Sequence, residues 1–155
     1  MSDLTTIRCR LEAQGFLGLD DATLTELGPW LRWSPVICTI VMTVGVILQS
    51  PAILWGLAAI AFVGALLPFH PFDVIYNYGV RHLAGTRAFP HHGPQRRFAC
   101  GLASAWLVAT GLAFNSGQTT LAFVLSLSLI AVAALVSLTH FCIPSAIYNR
   151  LFKRA

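Results

Sequence analysis

Charged residues are scarce in this chain, and their absence from two long blocks excludes an ordinary soluble domain. Only 10% of the 155 residues are charged, whereas about a quarter are charged in soluble domains. No Asp, Glu, Lys or Arg occurs from residue 33 to residue 72, nor from residue 98 to residue 149. Because about 20 apolar residues span the hydrocarbon core of a bilayer, each block is long enough for two transmembrane helices.

The sequence therefore predicts an all-α membrane protein with four transmembrane helices. Turn-forming residues divide each block, at 49–51 in the first and at 115–118 in the second. The predicted spans are about 32–49, 51–69, 98–115 and 119–143. The predicted domains are a short helical N-terminal segment (residues 1–30) and a four-helix transmembrane domain (residues 31–155) with a loop over residues 70–97.

Basic residues outside the apolar blocks predict the orientation. The loop 70–97 holds four Arg, the C-terminal tail holds Arg150, Lys153 and Arg154, and the two tight turns hold none. Because basic loops stay in the cytoplasm, both termini and this loop are expected there. The first 30 residues lack the apolar core of a signal peptide, so no cleavage is expected. The net charge of +4 suits contact with an anionic lipid bilayer, and nucleic acid is not an expected partner.

The N-terminal segment has the pattern of two short helices. Apolar residues at spacings of three and four predict a first helix that ends before Gly15. Asp20 suits the N-cap of a second helix, which is expected to end at Gly28 and Pro29.

Two nine-residue segments indicate that one helical hairpin is used twice. Residues 69–77 (FHPFDVIYN) and 141–149 (FCIPSAIYN) each follow an apolar block and end in Ile-Tyr-Asn. The repeated side chains are interpreted as anchors at the membrane interface: Tyr76, Asn77, Tyr148 and Asn149. The two copies differ at the polar positions, where His70 matches Cys142 and Asp73 matches Ser145.

The central loop is predicted to contain a helix that lies in the membrane interface. Pro71 suits the first helical position and Asp73 suits the first turn. Asp73, Asn77 and Arg81 then form one polar stripe, opposite an apolar one. Two interpretations of this stripe stay open: a hydrogen-bonded latch, or the polar mouth of a ligand site. The residues concerned are His70, Asp73, Tyr76, Asn77 and Arg81.

Histidines and cysteines supply the other candidates for chemistry. No Cys-x-x-Cys and no His-x-x-x-His occurs, so neither a metal site nor any other cofactor is predicted. A metal or haem, if bound, would fall to the histidines expected at the cytoplasmic side: His70, His91, His92 and His140. Cys100 and Cys142 lie at the cytoplasmic edges of their spans, where they are either inert or a reactive thiol pair.

Two motifs resemble those of the DUF4395 family of small bacterial integral membrane proteins: HPFD-x-IYNYG at 70–79 and RRFACG at 96–101. The resemblance implies a four-helix protein of the bacterial inner membrane and no established activity. Many relatives have Phe-Cys-x-x-Cys before a Tyr, and some occur with rhodanese-like or thioredoxin-like partners, which hints at thiol or sulfur handling. This chain has Ser145 in place of the second cysteine, so a vicinal dithiol is absent.

Three functions are weighed from these features. The first is a non-enzymatic accessory or scaffold subunit that docks a protein partner or a second copy of itself. Small residues in the third span favour it, since they allow close helix contact: Gly101, Ala105, Ala109 and Ala113. The second is a thiol- or sulfur-handling protein that uses Cys142 and Cys100, and the third is binding or transport of a metal, haem or small ligand.

Overall fold

All regular secondary structure in the described part of the chain is helical, which confirms the all-α class. A computed structural model describes residues 2–152. Lys153 and Arg154, which contributed to the predicted orientation, lie outside the described residues. The helices are α1 (Ser2–Glu12), α2 (Asp21–Leu27), α3 (Trp33–Ile47), α4 (Pro51–Leu66), α5 (Pro71–Ile75), α6 (Arg81–Ala84), α7 (Pro94–Asn115), α8 (Thr119–Thr139) and α9 (Ile143–Phe152). A 3-10 turn at Trp30–Arg32 leads into α3, and a π-helical stretch at Tyr76–Val80 joins α5 to α6.

Three or four of these elements have the length and composition of membrane spans. Trp30–Ile47, α7 and α8 qualify singly among the described residues. The fourth candidate is α4 taken together with Pro71–Ala84, and this pair bends by 83°. α7 begins at Pro94, four residues before the expected start, because proline is accommodated in the first turn of a helix. α8 ends at Thr139, four residues early, because His140 adopts a left-handed conformation (φ 58°).

The N-terminal segment forms two helices with an apolar core of their own. The Asp20 side chain accepts a hydrogen bond from the backbone N–H of Thr23, so the predicted N-cap of the second helix is confirmed. The buried side chains of this core come from α1, α2 and the segments beside them: Leu11, Phe16, Leu19, Leu24, Leu27 and Leu31. The segment is therefore a folded unit, and it packs against the helix bundle.

The bundle is built most tightly around α4 and α7. The Ser104 hydroxyl donates a hydrogen bond to the carbonyl of Ala58 at 2.8 Å. Gly111 lies directly under the indole of Trp55, whose Nε1 donates to the carbonyl of Val108 at 3.4 Å. The small-residue stripe of α7 lies partly inside the bundle and partly at its surface. Ala113 is buried and Gly101 is half-buried, but Ala105 and Ala109 are exposed, because the face of α7 that packs on α4 is offset from this stripe. An interface with a partner or a second copy at this stripe stays a prediction.

Candidate functional site

A cavity of about 340 Å³ lies where α3, α7, α8 and α9 meet. Most of its wall is apolar and comes from side chains such as Met42, Leu57, Leu107 and Val132. Four polar side chains lie near the end of the bundle where α3 and α7 begin and α8 finishes. These residues, called here the polar end of the cavity, are Gln14, Ser34, His70 and Arg96.

Arg96 is the charged group of the polar end. It lies in the first turn of α7, and only 6% of its surface is exposed. Its guanidinium carbon is 5.1 Å from the centroid of the Phe16 ring, a cation–π distance. Within residues 2–152, no hydrogen bond joins this guanidinium to another group, and both ion pairs involve other arginines. A buried cation without an anionic partner therefore faces the cavity.

The neighbouring arginine is engaged quite differently. Arg97 Nε donates to the carbonyl of Ala65 at 2.9 Å, and Nη2 donates to the carbonyl of Leu66 at 2.8 Å. These carbonyls belong to the last turn of α4, where intrahelical donors run out. Arg97 is thus a structural cap, which makes it a natural control for Arg96.

Asp73 and His70 form a latch between α3 and the start of α5. The Ser34 hydroxyl donates to Asp73 Oδ1, and the backbone N–H of His70 donates to Asp73 Oδ2 at 3.1 Å. His70 Nδ1 accepts from the backbone N–H of Phe72 at 3.3 Å, which completes a capping box. The His70 Nε2 atom lies 3.8 Å from Cys38 Sγ. Of the five predicted latch or ligand residues, His70 lines the cavity, whereas Asp73 is buried behind it.

The other three residues of that group lie away from the cavity. Tyr76 is 0% exposed; its ring stacks on Phe89 at 3.8 Å, and its hydroxyl lies 2.5 Å from that of Thr86. Tyr76 is thus buried by the loop that folds back over its ring, and its expected position at the membrane interface stays a prediction. Asn77 Oδ1 accepts from the backbone N–H of Phe89 at 2.8 Å. The Nε atom of Arg81 is buried without a hydrogen-bond partner among the described groups.

The second copy of the repeated segment makes contacts that correspond in part. Ser145, which matches Asp73, donates its hydroxyl to the Gln95 carbonyl at 3.3 Å. Asp73 thus joins α5 to the first turn of α3, and Ser145 joins α9 to the first turn of α7. Tyr148 packs at 5.6 Å from the Phe98 ring and at 4.8 Å from the Phe152 ring. Asn149 Nδ2 donates to the carbonyl of Ala13 at 2.8 Å.

The histidines are dispersed. In the part of the chain described, no three His, Cys, Asp or Glu side chains are grouped so as to hold a metal ion. His91 is exposed, whereas His92 is buried with neither ring nitrogen hydrogen-bonded to a described group. Burial, helped by the nearby Arg96 charge, lowers the pKa of His92 to about 4. Burial and then Arg32 lower the pKa of His140 to about 4, and its Nε2 accepts from Arg32 Nε at 2.8 Å.

Three of the four cysteines line the cavity: Cys38, Cys100 and Cys142. All cysteines in the described range are free thiols, and Cys9 is exposed on α1. Sequence reasoning selected Cys100 and Cys142, but it missed Cys38 and Arg96. The spacing of Arg96, Cys100 and Leu107 on one helical face was the available signal, because i, i+4 and i+11 share a face of α7.

The N-terminal segment covers the polar end of the cavity. Gln14 Nε2 donates to the carbonyl of His140 at 2.5 Å, and Arg10 Nη1 donates to the carbonyl of Thr139 at 2.7 Å. Gly15 has φ +92°, and a Cβ there would lie 2.6 Å from the Cα of Gly93. The close backbone contact between these glycines seats the segment on the loop before α7, so the polar end is closed from this side.

Over residues 2–152 the fold is all-helical, with three or four apolar helices of membrane-span length and a cavity that has a polar end and an apolar wall. The chain belongs to the DUF4395 family, since the model described as "Domain of unknown function (DUF4395)" matches residues 29–153. The predicted family is thus confirmed, and its description states no activity. No curated protein and no solved structure matches the chain.

Proposed function

We propose that this chain is a bacterial inner-membrane protein that crosses the bilayer four times and binds a small anionic ligand in its cavity. Both termini and the polar end of the cavity lie in the cytoplasm in this proposal. The positive-inside pattern of the loops supports the orientation. The matching contacts of Asp73 and Ser145 support two hairpins of common design, α3–α4 and α7–α8.

The unpartnered Arg96 guanidinium is the observation that carries the proposal. A buried charge costs free energy unless an opposite charge or hydrogen bonds compensate it. The buried acid of this region, Asp73, has both carboxylate oxygens engaged by Ser34 and His70. A guanidinium keeps its charge in a protein and presents a planar fork that matches a carboxylate or phosphate. The Phe16 ring offsets part of this cost through its cation–π contact, and an anion in the cavity would supply the ion pair and hydrogen bonds that the described residues do not.

Two further features favour an anion at this position. Among the described residues, no side chain caps the N-terminus of α7, so backbone N–H groups with a positive helix dipole lie beside Arg96. The cavity of about 340 Å³ lies within the range of about 300–1,000 Å³ that small-molecule sites occupy. Most of its polar side chains converge at one end, with Ser128 of α8 apart from them, and such clustering is typical of sites that orient a ligand.

The two adjacent arginines provide a matched test. Purified protein in detergent is titrated with acetate, phosphate and longer-chain carboxylates, and the thermal unfolding midpoint is followed. A ligand that binds the folded state raises the midpoint with concentration. We expect this rise in the wild type and in Arg97→Gln, but not in Arg96→Gln. An equal rise in Arg96→Gln, or no rise with any anion in the wild type, contradicts the proposal.

This function is one of binding rather than catalysis, and an accessory role is compatible with it. Docking of a protein partner or of a second copy stays a prediction. It is tested by mild purification and mass measurement of the intact assembly. A stoichiometric second chain supports docking, and a monomer of about 17 kDa (16.8 kDa from the sequence) contradicts it.

Thiol chemistry is a second candidate, favoured by the shared position of Cys100 and Cys142 on the cavity wall. In such a step one cysteine, as thiolate, attacks the disulfide of an anionic organic ligand and releases one half as a thiol. The other cysteine then attacks the mixed disulfide, which releases the second half and leaves a Cys100–Cys142 disulfide. Intact mass after treatment with oxidised glutathione tests this. All variants carry Cys9→Ser, because the exposed Cys9 thiol would itself react with glutathione. In this background, glutathione trapped in Cys100→Ser, but not in the variant that also carries Cys142→Ser, supports the step; an unchanged mass contradicts it.

A further inference from the structure

We infer, on the basis of the proposed anion site, that its ligand is a single-chain anionic amphiphile of the long-chain carboxylate type. Its carboxylate binds Arg96, its chain lies along the apolar wall, and it arrives sideways from the cytoplasmic leaflet. This inference deepens the proposed function, since it names the class of ligand and the route to the site.

The route follows from which lining residues are also exposed. Leu102 is 40% exposed and Trp106 is 38% exposed on α7, while Ile143 is 36% exposed and Ile147 is 44% exposed on α9. All four also line the cavity. A side chain that lines a cavity and is exposed at the surface lies at its opening. Ser128 of α8 also lines the cavity and is exposed, and its hydroxyl donates to the carbonyl of Leu125 at 2.8 Å. The opening is therefore largely apolar and faces outward from the bundle, where the proposal places the bilayer.

The N-terminal segment, in contrast, closes the route from the cytoplasm to the polar end of the cavity. Gln14 is 3% exposed, and Phe16, which lies under Arg96, is 2% exposed. Both belong to the N-terminal segment that is hydrogen-bonded to the carbonyls of Thr139 and His140. A water-soluble anion has to displace this segment, whereas a molecule already in the leaflet meets an open apolar passage.

The size and chemistry of the cavity then restrict the ligand. About 340 Å³ is near the lower end of the range for small-molecule sites, which suits one alkyl chain and is small for two. An alkyl chain gains little by moving from lipid to an apolar wall, since lipid tails are equally apolar. Recognition therefore rests on the head group, and the buried guanidinium selects a carboxylate over a neutral ester.

The experiment uses 9,10-dibromostearate, whose bromines quench tryptophan fluorescence on contact. The protein is placed in nanodiscs of phosphatidylcholine, and methyl 9,10-dibromostearate is the uncharged control. We expect saturable quenching by the acid at pH 7.5 and no saturable component with the ester. Trp106 is the indole that lines the cavity, so Trp106→Phe should remove most of the saturable component. Arg96→Gln should weaken apparent affinity at least tenfold, and Arg97→Gln should leave it within twofold.

The results can distinguish a failure of the amphiphile inference from a failure of the proposed anion binding. If acetate or phosphate stabilises the protein through Arg96 but dibromostearate shows no saturable quenching, the proposed function stands and the inference is overturned. Equal quenching by acid and ester, or in wild type and Arg96→Gln, shows partitioning alone and also overturns it. If no anion binds by either readout, both are wrong. Circular dichroism and gel filtration verify folding, and Arg96→Met, which is also uncharged, replaces Arg96→Gln if the latter aggregates.

Discussion

Ser34 and Asp73 are 39 residues apart in the chain, yet the Ser34 hydroxyl donates a hydrogen bond to the Asp73 carboxylate. Ser34 lies in the first turn of α3 and Asp73 in the first turn of α5. Both side chains are buried, at 2% and 6% exposure. The contact fixes the loop after α4 against the start of the bundle, and it thereby places His70 on the cavity wall.

Removal of the Asp73 carboxylate should destabilise the fold. Asp73→Ala leaves the Ser34 hydroxyl and the His70 N–H without their acceptor, and buried unmade hydrogen bonds cost about 1–3 kcal/mol each. We expect the free energy of unfolding to fall by roughly 2–4 kcal/mol, and by less in Asp73→Asn, which retains one acceptor oxygen. Denaturation followed by circular dichroism in detergent measures it. Asp21→Ala, which removes an exposed ion pair with Arg8, should cost no more than about 1 kcal/mol; a similar loss in both variants contradicts the prediction.

The packing of α4 on α7 gives a prediction with a built-in control. A Cβ added at Gly111 collides with the Trp55 indole, whose Cδ1 would be 2.7 Å away. Gly111→Ala should therefore lower the free energy of unfolding by about 1–3 kcal/mol. Gly56 has nothing within 4 Å of its built Cβ, so Gly56→Ala should be neutral or stabilising by up to about 1 kcal/mol. The thermal unfolding midpoints of Gly111→Ala and Gly56→Ala, measured under the same conditions, test this prediction. Equal midpoints would show that the Trp55 contact is not rigid.

Acid should destabilise the protein through its buried histidines. The pKa of His140 falls from 6.5 to about 4 on folding, chiefly by burial. Between these values the unfolded chain binds a proton that the folded protein does not, so stability is full above pH 6.5 and declines towards pH 4. The slope is at most about 1.4 kcal/mol per pH unit for each such histidine. Unfolding midpoints from pH 7.5 to pH 4.5 test it.

A variant of the same residue isolates this effect. His140→Asn keeps a side chain that tolerates the left-handed backbone and an acceptor for Arg32, but it does not titrate. The pH dependence should become shallower in His140→Asn. The same slope in wild type and His140→Asn would assign the acid sensitivity to other groups.

Arg96 and Arg97 should have opposite effects on the empty protein. Arg96→Gln removes a buried cation without a partner and should leave stability unchanged or raise it by about 1 kcal/mol, as replacement of binding residues often does. Arg97→Gln removes the cap of the Ala65 and Leu66 carbonyls, and should lower stability by about 1–2 kcal/mol. Thermal unfolding midpoints of the two variants and the wild type, each measured on delipidated protein, test this prediction. A large loss in Arg96→Gln would show that this guanidinium serves the fold.

Local sequence patterns were sufficient to predict the helices and the N-cap of α2. Asp20 caps α2 because a short acceptor before an amphipathic run satisfies a free N–H, whatever surrounds it. The absence of charge likewise marks the apolar helices, since a buried charge is costly wherever it falls. These are properties of neighbours in sequence, so they can be predicted without the fold.

The cavity could not be predicted in the same way, because it depends on how far each helix is rotated. Ala105 and Ala109 have the spacing of a packing stripe, but the Ser104 hydrogen bond and the Trp55–Gly111 contact place that face outside. Tyr76 was expected at the membrane interface. It is buried because the loop after α6 places the ring of Phe89 on top of it. Arg96 looks like an ordinary interfacial arginine until the N-terminal segment is seen to cover it.

In the proposed four-span arrangement, the short length of α4 affects how the bilayer adapts to the protein. Its 16 residues extend over about 24 Å, whereas the hydrocarbon core is about 30 Å thick. Such a mismatch is relieved by local thinning of the bilayer or by flanking residues that reach the head groups. Beside α4, lipid head groups would thus be drawn inward, towards the level of His70. α3 is equally short, with 15 residues, whereas α7 has 22 and α8 has 21. The membrane would therefore be thinned beside the α3–α4 hairpin and not beside α7 and α8, which would favour thin membranes.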